Sequence, residues 1–329
     1  MAAQDASGLV HQACLYCSDE QLLAAAAPFA EEGLARGEPV LIVTTSANLA
    51  LLRHAVGDRA HRLDYAETAY LGRRAPQRVA AFYRYWQRHA DSAGYVRILA
   101  EPVWTGRSEQ EIVAWKRMES ILNVVLSEAD IWMVCLYDAR VADPGVIADA
   151  RRTHPACLNG RAVEPCADFV DPGAFARACD EVPLPDPPAG AATLRSEGDL
   201  SELRRFVAER AAAHGLEGER MWMLVAAVNE AAAYLLAEGS GAVTVRTWDW
   251  SGDLVYDLHD RGARVTDPFL GFRPPRPGRP EPAADDGLWL ARQVCDALEV
   301  RSTDGGSTLR LHLPGPHAEE MLQPATAAS

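Results

Sequence analysis

The stretch Glu181-Val-Pro-Leu-Pro-Asp-Pro-Pro-Ala-Gly-Ala-Ala-Thr193 constrains this chain more than any other. Pro183, Pro185, Pro187 and Pro188 remove amide donors and fix φ, so the backbone there reads as an extended, semi-rigid spacer. A spacer of this kind divides a chain. It predicts a first domain over 9–180, a linker over 181–194, a second domain over 195–314 and a short tail over 315–329. The length of 329 residues suits two domains of ~100–200 residues each.

The two halves differ in the order of their elements. Before the spacer, apolar strand-like runs (Val40–Thr45, Tyr95–Leu99, Ile131–Tyr137) alternate with helical stretches (Leu22–Leu34, Ala47–Val56, Gln77–His89, Glu109–Leu126). In the last of these, Ile112, Trp115, Leu122 and Val125 recur at the helical period. Such alternation predicts an α/β domain, a mostly parallel sheet with helices on both faces. Ligands in such sheets lie beyond the carboxyl ends of the strands, which singles out Thr44-Thr45-Ser46, Glu101-Pro-Val-Trp104 and Tyr137-Asp138. After the spacer come two helices (about 199–214 and 219–238), a hairpin around Ser251-Gly252, and an irregular segment with six prolines between Asp267 and Asp286. A helix near Leu288–Ala297 and two strands around Asp304-Gly-Gly306 follow. This order predicts an α+β sandwich, helices on one face of a mixed sheet.

Composition narrows the chemistry. Of 32 basic residues only Lys116 is a lysine, and it sits in Trp-Lys-Arg-Met with no glycine beside it, so a Gly-Lys-Ser/Thr phosphate loop is excluded. A net charge of −14 and a pI near 5.1 speak against direct nucleic-acid binding. No apolar run of about 20 residues and no basic, apolar-cored N-terminal signal is evident, so the expectation is a cytoplasmic protein without membrane contact. Seven cysteines, an odd number at low density, fit a reducing compartment. His11-x-x-Cys14-x-x-Cys17 and His154-x-x-Cys157…Cys166 have zinc-like spacing. Cys14 and Cys17 would point to opposite faces of a strand, so buried thiols are expected there and no metal.

The second half carries three ordered motifs: Asn229-Glu230-Ala231 on an apolar helix, Asp260-Arg-Gly262 at a strand end followed by Asp267-Pro268, and Gly287-Leu288 opening a helix after the proline-rich segment. Together they resemble the ATP-binding domain shared by sensor histidine kinases, Hsp90-type ATPases and RsbW-like anti-sigma-factor serine kinases, over about residues 195–314. The resemblance implies ATP as cofactor. Glu230 would be the catalytic carboxylate beside the γ-phosphate. Asp260 and Gly262 would receive adenine, Gly287 and Leu288 would face phosphate oxygens, and Asn229, Arg273, Arg276 and Arg279 would complete the site. Three positions depart from that pattern. The magnesium-ligating asparagine is Tyr234, a poor ligand for a hard cation. The second glycine of the Asp-x-Gly-x-Gly box is Arg264, and Asp285 stands two residues before Gly287. At best, weak kinase activity is expected.

Residues 9–175 resemble the MEDS domain, a sensory module of methanogen and methylotroph regulators. The stretches that carry the resemblance are His11-Gln-Ala-Cys-Leu-Tyr16, Glu31-Glu-Gly33, Glu101-Pro-Val-Trp104 with Glu119 and Asn123, Tyr137-Asp138 and Ala150-Arg-Arg-Thr-His-Pro155. A sensing pocket for a small polar molecule is expected from His11, Tyr16, Glu101, Trp104, Glu119, Tyr137, Asp138 and His154. The bland alternative pairs Glu101 and Glu119 with Arg97 or Arg151 as structural bridges and places Trp104 in the core. The pairing of the two domains resembles the RsbA-type actinobacterial regulators. It implies a partner that is a sigma factor or an anti-sigma antagonist. The alternative is a scaffold that holds its partner without ATP turnover.

Overall fold

The computed structural model describes residues 7–72, 74–92, 94–250, 252–275 and 285–313. The chain separates into two compact units, the first ending at Cys179 and the second starting at Asp180.

The first unit runs β1 (Val10–Tyr16), α1 (Asp19–Arg36), β2 (Val40–Thr44), α2 (Ser46–Val56), β3 (Asp64–Glu67), α3 (Ala75–Arg88), β4 (Val96–Ala100), α4 (Glu109–Val125), β5 (Ile131–Asp138), α5 (Pro144–Thr153), β6 (Ala156–Asn159), β7 (Ala162–Pro165) and α6 (Pro172–Ala178). The strands lie in the order β3-β2-β4-β5-β1-β6-β7, parallel except for the β6–β7 hairpin. β2 and β4 are buried along their whole length, as continuous apolar runs covered on both faces must be. One core, with Val79, Phe82, Trp115, Met118 and Leu122, joins α3 and α4 to one face. The other, with Leu22, Phe29, Leu49 and Leu52, joins α1 and α2 to the opposite face. Helix starts follow local chemistry. Ser18 caps α1 through the Gln21 amide, and Ser108 with Glu111 forms a reciprocal capping box on α4.

The second unit runs β8 (Ala192–Ser196), α7 (Leu200–Ala213), α8 (Gly218–Glu238), β9 (Val243–Trp250), β10 (Asp253–Asp260), α9 (Asp286–Val294), β11 (Ala297–Thr303) and β12 (Gly306–Leu313). Its sheet, β11-β12-β10-β9-β8, is antiparallel at every pairing rather than mixed: short hairpins join β9 to β10 and β11 to β12, while α7 and α8 separate β8 from β9, and α9 and β11 separate β10 from β12. β8 straddles the end of the stretch read as linker (181–194) and pairs with β9 from Ala192 onward. α9 also starts and ends earlier than expected, at Asp286 and Val294. The Cys295 amide closes on the Ala291 carbonyl, and Asp296 already donates to the His312 carbonyl. The 21-residue α8 is long and apolar enough to cross a membrane by composition. Its apolar side, with Leu224, Val228, Ala231, Ala232 and Leu235, is packed with α7, α9 and the sheet in one core.

Two expectations about ion pairs and thiols are corrected. Arg97 pairs with Glu38 at 2.5 Å, not with Glu101 or Glu119. Cys157 and Cys166 form a disulfide across the β6–β7 hairpin, with Cα atoms 6.1 Å apart, while Cys14 is buried and Cys17 exposed.

Candidate functional site

The motifs of the second unit converge where α8, β10 and α9 meet. The Asp260 carboxylate, buried at the end of β10, accepts from the Ser240 amide and hydroxyl (3.1 and 3.0 Å) and from the amides of Gly262 and Ala263 (2.6 and 3.1 Å). Burial alone would raise this carboxyl, but those donors override it and hold it below the ordinary aspartate value. Gly262 lies against Ser240: a β-carbon there would stand 2.8 Å from the Ser240 nitrogen. The residue expected to receive adenine thus ties the end of α8 to the end of β10.

Glu230 projects from α8 onto the first turn of α9, into the space that a Gly287 side chain would need. Asn229 donates to Glu230 at 3.2 Å and accepts from Arg204 of α7 at 3.0 Å. Leu288 is buried, and its amide is taken by the Asp285 carbonyl. Arg273 pairs with Asp267 at 2.7 Å. Arg276 and Arg279 lie outside the described residues. Tyr234, half-buried one turn beyond Glu230, has its phenol pushed up to about 12 by burial, with Glu238, Asp285 and Asp267 adding to the effect. These residues do not fit a magnesium–triphosphate group. A phenol stands where the resemblance expects the amide ligand, and the charges that act on it, Glu238, Asp285 and Asp267, are negative.

In the first unit the expected pocket residues separate into two buried clusters. At the carboxyl ends of β1, β2 and β4, Glu101 accepts from Tyr16 (2.5 Å), from Asn48 (2.9 Å) and from Thr44. Asn48 also donates to the Tyr16 oxygen at 3.1 Å, and burial, then Glu101, push the Tyr16 phenol up. Asp138, the register partner of Tyr16, lies beside this group and is chelated by Arg140, which, with a smaller contribution from Tyr16, holds its carboxyl low.

The second cluster lies on the other face of the sheet, between β1, β5 and α4. His11 Nε2 is 3.6 Å from Glu119 Oε2, His154 Nε2 is 3.5 Å from the same oxygen, and Cys135 Sγ is 3.4 Å from His11 Nε2. All four side chains are buried. Burial, reinforced by His154, lowers His11 to about 4. For Glu119, burial acts upward, but the two imidazoles override it and hold the carboxyl at about 2. Burial, then Glu119, push the Cys135 thiol and Tyr137 phenol up. Tyr137 stacks on Trp104, ring centroids 6.1 Å apart, and meets His154 edge-on at 5.7 Å. Arg78, wholly buried, stands over Trp115 at 4.9 Å, and its Nε and Nη1 have no hydrogen-bond partner.

His11, Glu119, His154, Tyr137 and Trp104 of the expected pocket therefore come together, while Tyr16, Glu101 and Asp138 belong elsewhere. Cys135 and Arg78 were missed. Cys135 sits inside an apolar run where alternation carries no signal, and nothing in the local sequence of the Gln77–His89 helix singles out Arg78. The strand register could have found Cys135: it pairs with Ala13, two residues beyond His11 on the same face of β1.

Residues 10–155 match the family described as the MEthanogen/methylotroph, DcmR Sensory domain, MEDS. Residues 193–313 match the family described as the histidine kinase-like ATPase domain. No curated protein matches the chain. A MEDS domain and a histidine kinase-like ATPase domain are thus present in one chain.

Proposed function

We propose that this chain is a signalling regulator of the anti-sigma type, in which the MEDS domain senses a small molecule and the ATPase-like domain holds a protein partner with little or no ATP turnover. The partner is a sigma factor or an anti-sigma antagonist. One observation carries the low-turnover part: the position one helical turn beyond Glu230 is Tyr234, set among Asp267, Asp285 and Glu238. Phosphoryl transfer relies on a cation that offsets phosphate charge. A phenol whose nearby charges include Glu238, Asp285 and the Arg273-paired Asp267 supplies no such cation site.

A second reading, a slow serine/threonine kinase, draws support from the placement of Glu230 at the start of α9. Calorimetric titration of the full chain with ATP, with and without magnesium, separates the two. The low-turnover reading expects weak heat that magnesium leaves unchanged. Magnesium-dependent binding that is lost in Asp260→Asn would sink it. Tyr234→Asn is expected to introduce the missing metal dependence. Gel filtration with candidate sigma factors and antagonists tests the partner; no co-elution with either would overturn the anti-sigma assignment.

A further inference from the structure

The cluster of His11, Glu119, Cys135 and His154 is absorbed by no part of that reading. Its ligand atoms all lie within 4.8 Å of one another, and they come from β1, α4, β5 and the residue that ends α5.

Hydrogen-bond directions fix where the protons are. His154 Nδ1 lies 2.7 Å from the Ala150 carbonyl, which can only accept, so Nδ1 carries hydrogen. Asn123 donates through Nδ2 to the Thr153 carbonyl at 2.8 Å, which leaves its Oδ1 as the acceptor for His11 Nδ1 at 3.1 Å. Both imidazoles are thereby oriented through Nδ1, with Nε2 facing Glu119. Metal-binding histidines are held in this way by an outer carbonyl.

On the inward side the one donor besides the imidazoles is the weak Cys135 thiol, 3.4 Å from His11 Nε2. Glu119 Oε2 and His154 Nε2 are buried with no hydrogen-bond partner. With both imidazoles neutral, two ring nitrogens and one carboxylate oxygen face each other in a buried interior, an arrangement that costs free energy unless a proton or a metal cation lies between them. A shared proton does not suit the spacing. A charge-assisted N–H···O bond closes to about 2.7–2.9 Å, and the nitrogens here stand 3.5 and 3.6 Å from the oxygen. The three contacts at 3.4, 3.5 and 3.6 Å suit a tetrahedral metal, and the set as a whole, within 4.8 Å, needs only to draw in around the ion. Bonds of about 2.0–2.1 Å to nitrogen and oxygen and about 2.3 Å to sulfur place ligand atoms roughly 3.3–3.6 Å apart.

We propose that His11 Nε2, His154 Nε2, Glu119 Oε2 and Cys135 Sγ form a closed, four-ligand site for a divalent late first-row metal, of which zinc is the type. This reverses the expectation of no metal. It also uses neither of the cysteine-spaced motifs as such, only the histidine from each. The two imidazoles, the carboxylate and a thiolate balance a divalent ion, and entry of the ion displaces the Cys135 proton into solvent. The site is independent of whether the chain acts on a sigma factor.

The test uses the full chain without a histidine tag, stripped by chelator and titrated with cobalt(II) as the spectroscopic substitute for zinc. One equivalent is expected to bind, with visible bands of tetrahedral cobalt and a thiolate-to-cobalt charge-transfer band, and zinc is expected to displace it. Cys135→Ser should delete the charge-transfer band. His154→Ala should weaken binding by about 100-fold or more, and Asn123→Ala, which touches no ion, by about 10–100-fold. Cys17→Ser and the Cys157→Ser, Cys166→Ser pair should leave the spectrum unchanged. Failure of the folded chain to bind cobalt or zinc overturns the proposal. So does a charge-transfer band that survives Cys135→Ser or is lost in either cysteine control. Where His154→Ala does not fold, the wild-type spectrum and Cys135→Ser decide.

Discussion

The Glu230 carboxylate occupies the space beside Gly287 that a side chain would otherwise fill: a β-carbon on Gly287 would collide with Oε2 and lie 3.0 Å from the Glu230 Cβ. The glycine that opens α9 is required by a neighbouring acid, whatever else its amide does. Gly287→Ala is therefore expected to destabilise the second unit by about 1–3 kcal/mol through overpacking. Glu230→Ala in the same chain should recover most of that loss, a coupling of about 1 kcal/mol or more in a double-mutant cycle followed by urea denaturation. Additive losses would mean that Gly287 is needed for a reason other than Glu230.

Arg97 offers a cleaner test of the first unit. It is fully buried on β4, pairs with Glu38, donates to the Phe29 carbonyl at 3.1 Å and lies between the Phe29 and Trp132 rings, 4.9 and 4.5 Å from their centroids. Glu38→Ala leaves that guanidinium with only the exposed Glu32 carboxylate, 3.7 Å away. It should cost about 3–5 kcal/mol in the unfolding of the first unit, with less further loss when Arg97→Met is added. An unchanged urea midpoint for Glu38→Ala would contradict the pairing.

The Asp260 carboxyl sits below its ordinary value of about 3.9 because amide and hydroxyl donors outweigh its burial. A depressed carboxyl adds stability that is fully present above the ordinary value and is lost as pH falls through the folded one. Asp260→Asn should lower the stability of the second unit at neutral pH by about 1–3 kcal/mol. It should also flatten the decline of stability below about pH 4. Thermal melts of both proteins from pH 7 to pH 2 check the sign. A parallel acid decline in the variant would assign that pH dependence to other groups.

The β6–β7 disulfide predicts a thiol count. Titration of the denatured, unreduced chain should find five thiols, namely Cys14, Cys17, Cys135, Cys179 and Cys295, and reduction should reveal two more. Seven without reduction would mean that Cys157 and Cys166 stay as thiols in the prepared protein.

Much of this architecture was legible because two periodicities report it directly. The apolar runs of β2, β4 and β5 and the helical stripe of α4 need only local sequence, and each was readable. β8 was not, since Ala192–Ser196 follows directly on the proline-rich stretch and gains its strand identity from pairing with β9. Nor were β6 and β7, four residues each and partly exposed. Within the sites, Glu119, His11 and His154 could be named but not grouped, because their meeting depends on β1 lying beside β5. Arg78 escaped because a buried, incompletely paired guanidinium runs against the usual fate of an arginine on a helix.

The place of β1 in the sheet has a consequence for how the first unit is made. The opening strand of the unit lies between β5 and β6, and its His11 meets Cys135 across 124 residues of chain. At roughly 5–20 residues per second, a strand that leaves the ribosome first waits about 6–25 s for its neighbour to be synthesised. Until then its apolar edge must be shielded by something other than the sheet. The four-residue cluster needs β1, α4, β5 and His154 together, so its assembly reports that the two ends of the first unit's chain have met.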